Sequence, residues 1–369
     1  GKTAAIRAAN PLPPLSPHAG SLGASGTRTC DWWFFDKTVL LDTPGRYVFP
    51  VDERRDEREW RETLSLLKRS RGREPINGVV VAVAADALIS RSVARLQEEA
   101  ARLRRRLDET TRQLGTSFPV YLLVTKADLI SGFTEFFGHL PDGVRGQAMG
   151  AVNDDFDHRG QPSVLFGQAF GSICGRLDRL RLALLEEETG SDGRRRLFLF
   201  PDEFRSLRGP LQAFTDALLR QNPYEETPFL RGMFVVSAKQ EGTPLSRLAQ
   251  VIGCRNVVPE RRAATAAFFP QDFISSILAV DRSIVRRTAR WHDRSRRGQR
   301  VALVAAGLAS LVACALLTLS FVRNVRALSH VDTDVCGSTG GQSVGRPTAQ
   351  RLRALDGCRN AIDGLTPNS

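Results

Sequence analysis

The chain has 369 residues, enough for two or three domains, and a formal net charge of +12. The excess is almost all arginine, since only five lysines occur: Lys2, Lys37, Lys68, Lys126 and Lys239. Aromatic residues do not interleave with the basic ones, which argues against a nucleic-acid partner.

Gly1-Lys2-Thr3 matches the last three residues of the phosphate-binding pattern G-x-x-x-x-G-K-[ST]. In a complete loop the backbone N–H groups cradle phosphates, the lysine reaches the β- and γ-phosphates, and the hydroxyl holds Mg²⁺. Three residues alone are a weak signal; the rest of that loop and its strand are expected upstream of residue 1. Residues 10–26, rich in Pro, Gly and Ser, read as a loop. Thr27 and Thr29 follow where a first switch would lie. Either can supply a second Mg²⁺ ligand, Thr27 being the favoured one, or serve only as a structural hydroxyl.

Trp32–Phe35 and Val39–Asp42 predict two strands around an Asp36-Lys37 turn. Asp42-Thr43-Pro44-Gly45 then falls at a strand's carboxyl end, where open α/β sheets hold ligands. Asp42 can bind Mg²⁺ directly or through water, and the Gly45 N–H can contact a γ-phosphate; the alternative is an ordinary turn. The next residue, Arg46, stands where many GTPases place a water-orienting glutamine. A guanidinium accepts no hydrogen bond, so hydrolysis is expected to be slow or assisted by another group.

Trp60, Thr63, Leu64 and Leu67 predict a helix with one buried stripe. The apolar run Gly78–Ala84 reads as a central parallel strand. Val93, Leu96, Ala100, Leu103, Leu107 and Leu114 mark the inner face of a long helix closed by Gly115, with a charged, solvated outer face. Val120–Val124 is the next strand, followed by Thr125-Lys126-Ala127-Asp128. This resembles the base-reading [NT]KxD loop, in which the aspartate accepts two hydrogen bonds from guanine and the lysine stem stacks on the base. The alternative is a strand-end loop with a solvated lysine. From residue 133 to 231 helical stretches broken by polar loops predict an insertion. Met233–Val236 then returns as a strand, and Ser237-Ala238-Lys239 at its end resembles a final base-contacting loop, weakened by its long separation from Asp128.

Residues 255–300 read as a basic, mostly helical connector. Val301–Val322 is 22 residues without a charge, long enough at about 1.5 Å per residue to cross a bilayer core of roughly 30 Å. Eight arginines (282, 286, 287, 290, 294, 296, 297 and 300) crowd its amino side. The positive-inside rule therefore places residues 1–300 in the cytoplasm and 323–369 outside. Cys336 and Cys358 would then face an oxidising compartment, where pairing with each other and remaining free are both open.

The expected architecture is thus a doubly wound, P-loop NTPase-like α/β sheet lacking its first strand. It occupies residues 1–132 and 232–254 around an insertion at 133–231, with the connector at 255–300 and one transmembrane helix at 301–322. The candidate nucleotide ligands are Gly1, Lys2, Thr3, Asp42, Gly45, Thr125, Lys126, Asp128, Ser237 and Lys239. Thr3, Thr27 and Asp42 are the candidate Mg²⁺ ligands, and the nucleotide is GTP or ATP.

Several blocks also resemble one family. Gly26–Phe34 (GTRTCDWWF), Val39–Arg46 (VLLDTPGR), Pro75–Val79 (PINGV), Phe118–Asp128 (FPVYLLVTKAD), Gly132–Phe137 (GFTEFF), Phe200–Phe204 (FPDEF) and Asn222–Pro244 are similar, in order, to the IcmF/TssM family of type VI secretion inner-membrane proteins. The resemblance implies a structural subunit of the secretion machine's membrane core, anchoring it in the bacterial inner membrane, with a nucleotide-binding domain of slow or no hydrolysis. It implies a TssL-type inner-membrane protein, a TssJ-type outer-membrane lipoprotein, baseplate components and further copies of the chain as partners. The other readings are a membrane-anchored regulatory GTPase acting as a signalling switch, and a nucleotide-free scaffold whose motifs persist only as strand-end loops.

Overall fold

The computed structural model describes residues 1–9, 29–72, 74–138, 140–154, 161–187, 191–222, 227–238, 243–252, 267–287, 289–329, 352–353, 355–357 and 359–360. Two compact units result, Gly1–Trp291 and His292–Ser369.

The first unit is built on a four-stranded sheet. Val79–Ala84, Pro119–Thr125 and Phe229–Val235 lie side by side in parallel, with Pro119–Thr125 in the middle. Every residue of Pro119–Thr125 and Phe229–Val235 is buried, as a sheet covered on both faces demands. The fourth strand, Met149–Val152, runs antiparallel to Phe229–Val235. The sheet is therefore parallel-rich rather than wholly parallel, and the inserted region contributes one of its edges. Gly150 permits this edge to form, because a Cβ there would collide with the ring of Phe234 and the Met233 carbonyl.

Asp31–Phe34 and Val39–Asp42 pair antiparallel as the hairpin expected, but they form a separate two-stranded sheet, so the strand that ends at Asp42 is half-buried and is not one of the parallel sheet's strands. Helix Glu53–Arg71 follows, capped by the Asp52 side chain on the Arg55 N–H. Leu64 and Leu67 pack with Leu114 in a small satellite core. Helix Val93–Leu114 ends at Gly115, whose left-handed backbone (φ 68°) needs the missing Cβ. Its outer face departs from the solvated expectation at Arg104, which is buried and donates to Asp108 Oδ1 (2.8 Å) and to the carbonyls of Leu218 and Arg220. Leu218 is the last residue of helix Arg208–Leu218 and Arg220 follows just beyond it, so a cation caps the carbonyl end of that helix.

Beneath the Thr125–Asp128 loop, phenylalanines fill the core. Phe133 packs edge-on against Phe200 and Phe268, and Phe200 also meets Phe136 at 4.9 Å between ring centroids. Phe170 stacks on Phe204 at 5.2 Å. Each such pair contributes about 0.5–1.5 kcal/mol beyond its burial, and these rings share one hydrophobic core with Leu122, Val124 and Met233 of the sheet, so the inserted helices are packed into the sheet domain rather than appended to it.

The described part of the connector also folds onto this unit. Arg286–Arg287 pairs antiparallel with Thr116–Ser117. Asp281 is buried, taking two guanidinium bonds from Arg231 (2.7 and 2.8 Å) and one from the Tyr121 hydroxyl (2.7 Å). Arg231 reaches it because the strand bulges there: Val120 opposes Leu230 and Tyr121 opposes Gly232, leaving Arg231 as the extra residue.

Helix Ala289–Ser329 continues into the second unit. Its apolar portion, Leu303–Arg326, is 24 residues long and none of it is buried, which fits a bilayer-spanning segment by length and composition. The helix begins before the expected span and outlasts it.

Candidate functional site

At the carboxyl ends of the parallel strands four separate stretches of chain come together. Lys2 and Thr3 open helix Lys2–Ala8. Lys2 Nζ lies 2.7 Å from Asp42 Oδ1 and donates to the Thr43 carbonyl. Thr3 Oγ1 donates to Asp42 Oδ2 at 2.6 Å. Asp42, the last residue of its strand, is only 2% exposed. It therefore presents both carboxylate oxygens to the two side chains that the phosphate-loop pattern assigns to phosphate and Mg²⁺.

Gly1 lies against the third stretch. A Cβ there would stand 2.6 Å from Thr125 Oγ1 and 3.5 Å from Lys126 Cγ, so glycine is what lets the backbone approach. Lys126 itself adopts a left-handed backbone (φ 57°, ψ 40°), uncommon outside glycine. The turn aims its ammonium at Asp86 Oδ2, 3.0 Å away. Asp86 belongs to helix Ala85–Ser90, directly after a sheet strand. The sequence pattern did not single it out, because an acidic residue in a helix's first turn reads as ordinary capping.

Asp128 is buried and accepts a hydrogen bond from Ser237 Oγ at 2.6 Å. The two loops thus meet despite their separation in sequence, which removes the objection raised by that distance. Two backbone bonds hold them in register, Val236 N to the Val124 carbonyl (2.8 Å) and Ala127 N to the Val236 carbonyl (3.3 Å). Burial raises the Asp128 carboxyl pKa above its usual range, and the Ser237 bond offsets part of the rise.

The remaining candidates divide. Gly45 starts the short Gly45–Tyr47 helical turn with open space where a Cβ would be. Thr29 Oγ1 donates to Asp31 Oδ1 (3.1 Å). Thr27 and Lys239 lie outside the described residues, as do Cys336 and Cys358.

Arg46 is engaged by side chains of the protein itself. Its Nε lies 3.2 Å from Asp56 Oδ1, its Nη2 pairs with Glu59, and it lies over the Tyr47 ring. Asp56 in turn accepts from the N–H groups of Val51 and Asp52. Arg46→Ala should lower the unfolding free energy by about 1–3 kcal/mol, between the exposed-pair and buried-pair ranges. Nucleotide turnover, followed by phosphate release, should not change. Fast turnover in the parent that disappears in this variant would contradict that account.

The residues fit a Mg²⁺-nucleotide. A buried carboxylate already faces a lysine and a threonine, a glycine backbone is pressed between the loops, and a second carboxylate stands beside a hydroxyl where a base edge would lie.

Residues 53–306 match the family of IcmF-related N-terminal domains. Over 377 aligned positions the chain is 32% identical to the type VI secretion system component TssM1 of Pseudomonas aeruginosa. That alignment takes in 99% of this chain and 34% of the relative, so the chain spans about a third of that protein's length. No solved structure matches the chain.

Proposed function

The chain belongs to the IcmF-related family of type VI secretion components, and from that premise we propose that it anchors the secretion apparatus in the bacterial inner membrane and carries a cytoplasmic P-loop-like nucleotide-binding domain. The observation that carries the nucleotide reading is the convergence on Asp42, where Lys2 and Thr3 both bond one buried carboxylate while Gly1 touches Thr125. That short motifs distant in sequence meet in space supports this reading over chance resemblance.

In this reading Lys2 leaves Asp42 for the β- and γ-phosphates, and Thr3 and Asp42 hold Mg²⁺ with Thr27. The Gly45 N–H would be available to donate to a γ-phosphate. Thr125, Lys126 and Asp128 hold the base with Ser237 and Lys239, and GTP is favoured over ATP. The bound Mg²⁺ would supply charge neutralisation on the phosphates. Arg46 offers no acceptor for the attacking water, so the domain binds and holds nucleotide more than it turns it over.

Helix Leu303–Arg326 supplies the membrane span, with residues 1–300 cytoplasmic and 323–369 periplasmic by the arginine excess. The partners proposed from family membership are a TssL-type inner-membrane protein, a TssJ-type lipoprotein, baseplate components and other copies of the chain.

Asp42→Ala tests the site. Nucleotide affinity measured with Mg²⁺ and with EDTA should differ strongly in the parent and by less than about threefold in the variant, because the metal loses a charged ligand. An undiminished Mg²⁺ dependence would remove Asp42 from the site.

A further inference from the structure

Helix Ser191–Ser206 belongs to the inserted region, yet it braces the loops assigned to the base from two sides. On one side its Arg196 carbonyl lies against Gly132, which follows the Thr125–Asp128 loop. Gly132 has φ 84°, and a Cβ there would meet that carbonyl and the Phe200 side chain. On the other side stands Glu203, 4% exposed. Its Oε2 accepts from the backbone N–H groups of Arg247 (2.9 Å) and Leu248 (3.2 Å), and its Oε1 accepts from the Ser246 hydroxyl.

The residue just before this anchored stretch is Leu245. Its N–H donates to the Leu129 carbonyl (2.7 Å), and its carbonyl accepts from the Ser131 N–H (3.0 Å). Leu129 and Ser131 flank Ile130 directly after Asp128, so the strap held by Glu203 is hydrogen-bonded to the base-reading turn. Arg247 adds a third tie, donating to the Leu88 and Ile89 carbonyls at 3.0 and 3.3 Å. Those belong to the same helix as Asp86, the partner of Lys126. A single buried carboxylate on the insertion thus stands behind Asp128 and, through Arg247, behind Lys126.

We propose that Glu203 is a positioning residue: through it the inserted helix fixes the base-reading loops, so that base selectivity depends on how the insertion is packed. The selectivity clause rests on the nucleotide reading above; the mechanical coupling does not. Removing the carboxylate leaves the Arg247 and Leu248 amides unpaired, frees the 245–248 strap and with it the Ser131 bond, while Lys2, Thr3 and Asp42 keep their contacts.

Two measurements on the full chain decide the matter. Amide hydrogen exchange without nucleotide should be at least about tenfold faster in Glu203→Ala than in the parent at Leu245, Arg247, Leu248 and Ser131, with the strand Val79–Ala84 unchanged. Glu203→Gln, which keeps an acceptor oxygen, should restore most of the protection. GTP and ATP titrations should show the affinity ratio falling about tenfold in Glu203→Ala while ATP affinity stays within twofold. An unchanged Ser131 rate overturns the coupling. Equal losses of GTP and ATP affinity overturn positioning in favour of general destabilisation. Accelerated exchange in the variant of a parent that binds neither nucleotide supports the coupling and overturns the nucleotide reading, so the two failures are distinguishable.

Discussion

Asp281→Ala should lower the unfolding free energy of the sheet domain by about 3–5 kcal/mol, the range for stripping one partner from a buried ion pair. The loss follows from what remains. Arg231 is 8% exposed and receives a two-point carboxylate contact from Asp281; its other acidic partner, Asp154 at 3.0 Å, sits in solvent and is screened. Tyr121, 1% exposed, would lose the acceptor for its hydroxyl. Burial, together with the bond to Asp281, keeps that phenol protonated well above its ordinary range. Urea denaturation at neutral pH measures the loss directly. A change below about 1 kcal/mol would mean that the cluster contributes no more than a surface pair. The consequence reaches beyond stability, because Asp281 and the Arg286–Arg287 strand tie to the sheet the chain that enters helix Ala289–Ser329. The segment leading to the long apolar helix is part of the folded domain as far as Arg287.

The second large effect is expected at the base. Guanine offers two adjacent donors, which a carboxylate accepts and a carboxamide cannot match, since asparagine presents one acceptor and one donor group. Asp128→Asn should therefore cost one charged hydrogen bond or more, about 1.5–3 kcal/mol, and reduce the GTP-over-ATP preference by about tenfold to a hundredfold. Without nucleotide the same substitution should be stabilising at pH 7. Burial raises the folded-state pKa of Asp128 above its unfolded value, so the folded state binds the proton more tightly. Its ionisation then weakens folding as pH rises through the interval between the two values, and the penalty persists at neutral pH. Asparagine carries no such charge and still offers an oxygen to Ser237. Thermal melts should show a higher midpoint for the variant at pH 7 and convergence with the parent as the pH falls to the ordinary aspartate range. A variant that keeps its guanine preference would remove Asp128 from base reading.

Much of this arrangement was legible in the sequence. Continuous apolar runs at 79–84 and 120–124 could be little else than covered parallel strands, and Gly115 fixed the end of its helix. The TKAD loop was readable because it follows such a strand; the DTPG loop follows a hairpin strand that lies outside the parallel sheet. Their meeting, through Gly1 against Thr125 and Ser237 against Asp128, is a tertiary fact that spacing alone does not contain. Met149–Val152 escaped notice because four residues with a central glycine carry no strand period; it forms only because Phe229–Val235 offers a free edge. Asp281, Arg231 and Glu203 were silent for a different reason. A charged residue reads as exposed until its partner, here 50 or 44 positions away, is known. The ion pairs of Arg46 to Asp56 and Glu59 were not legible either.

The central claim, that Gly1–Thr3, Asp42, Thr125–Asp128 and Ser237 form one nucleotide site, is tested most directly by calorimetric titration of GTP and ATP, each with Mg²⁺ and with EDTA. The titration uses the longest protein its gene encodes, so that any complete phosphate loop is present. Mg²⁺-dependent binding at one site per chain, tighter for GTP than for ATP, is the predicted result; no heat of binding for either nucleotide would contradict it.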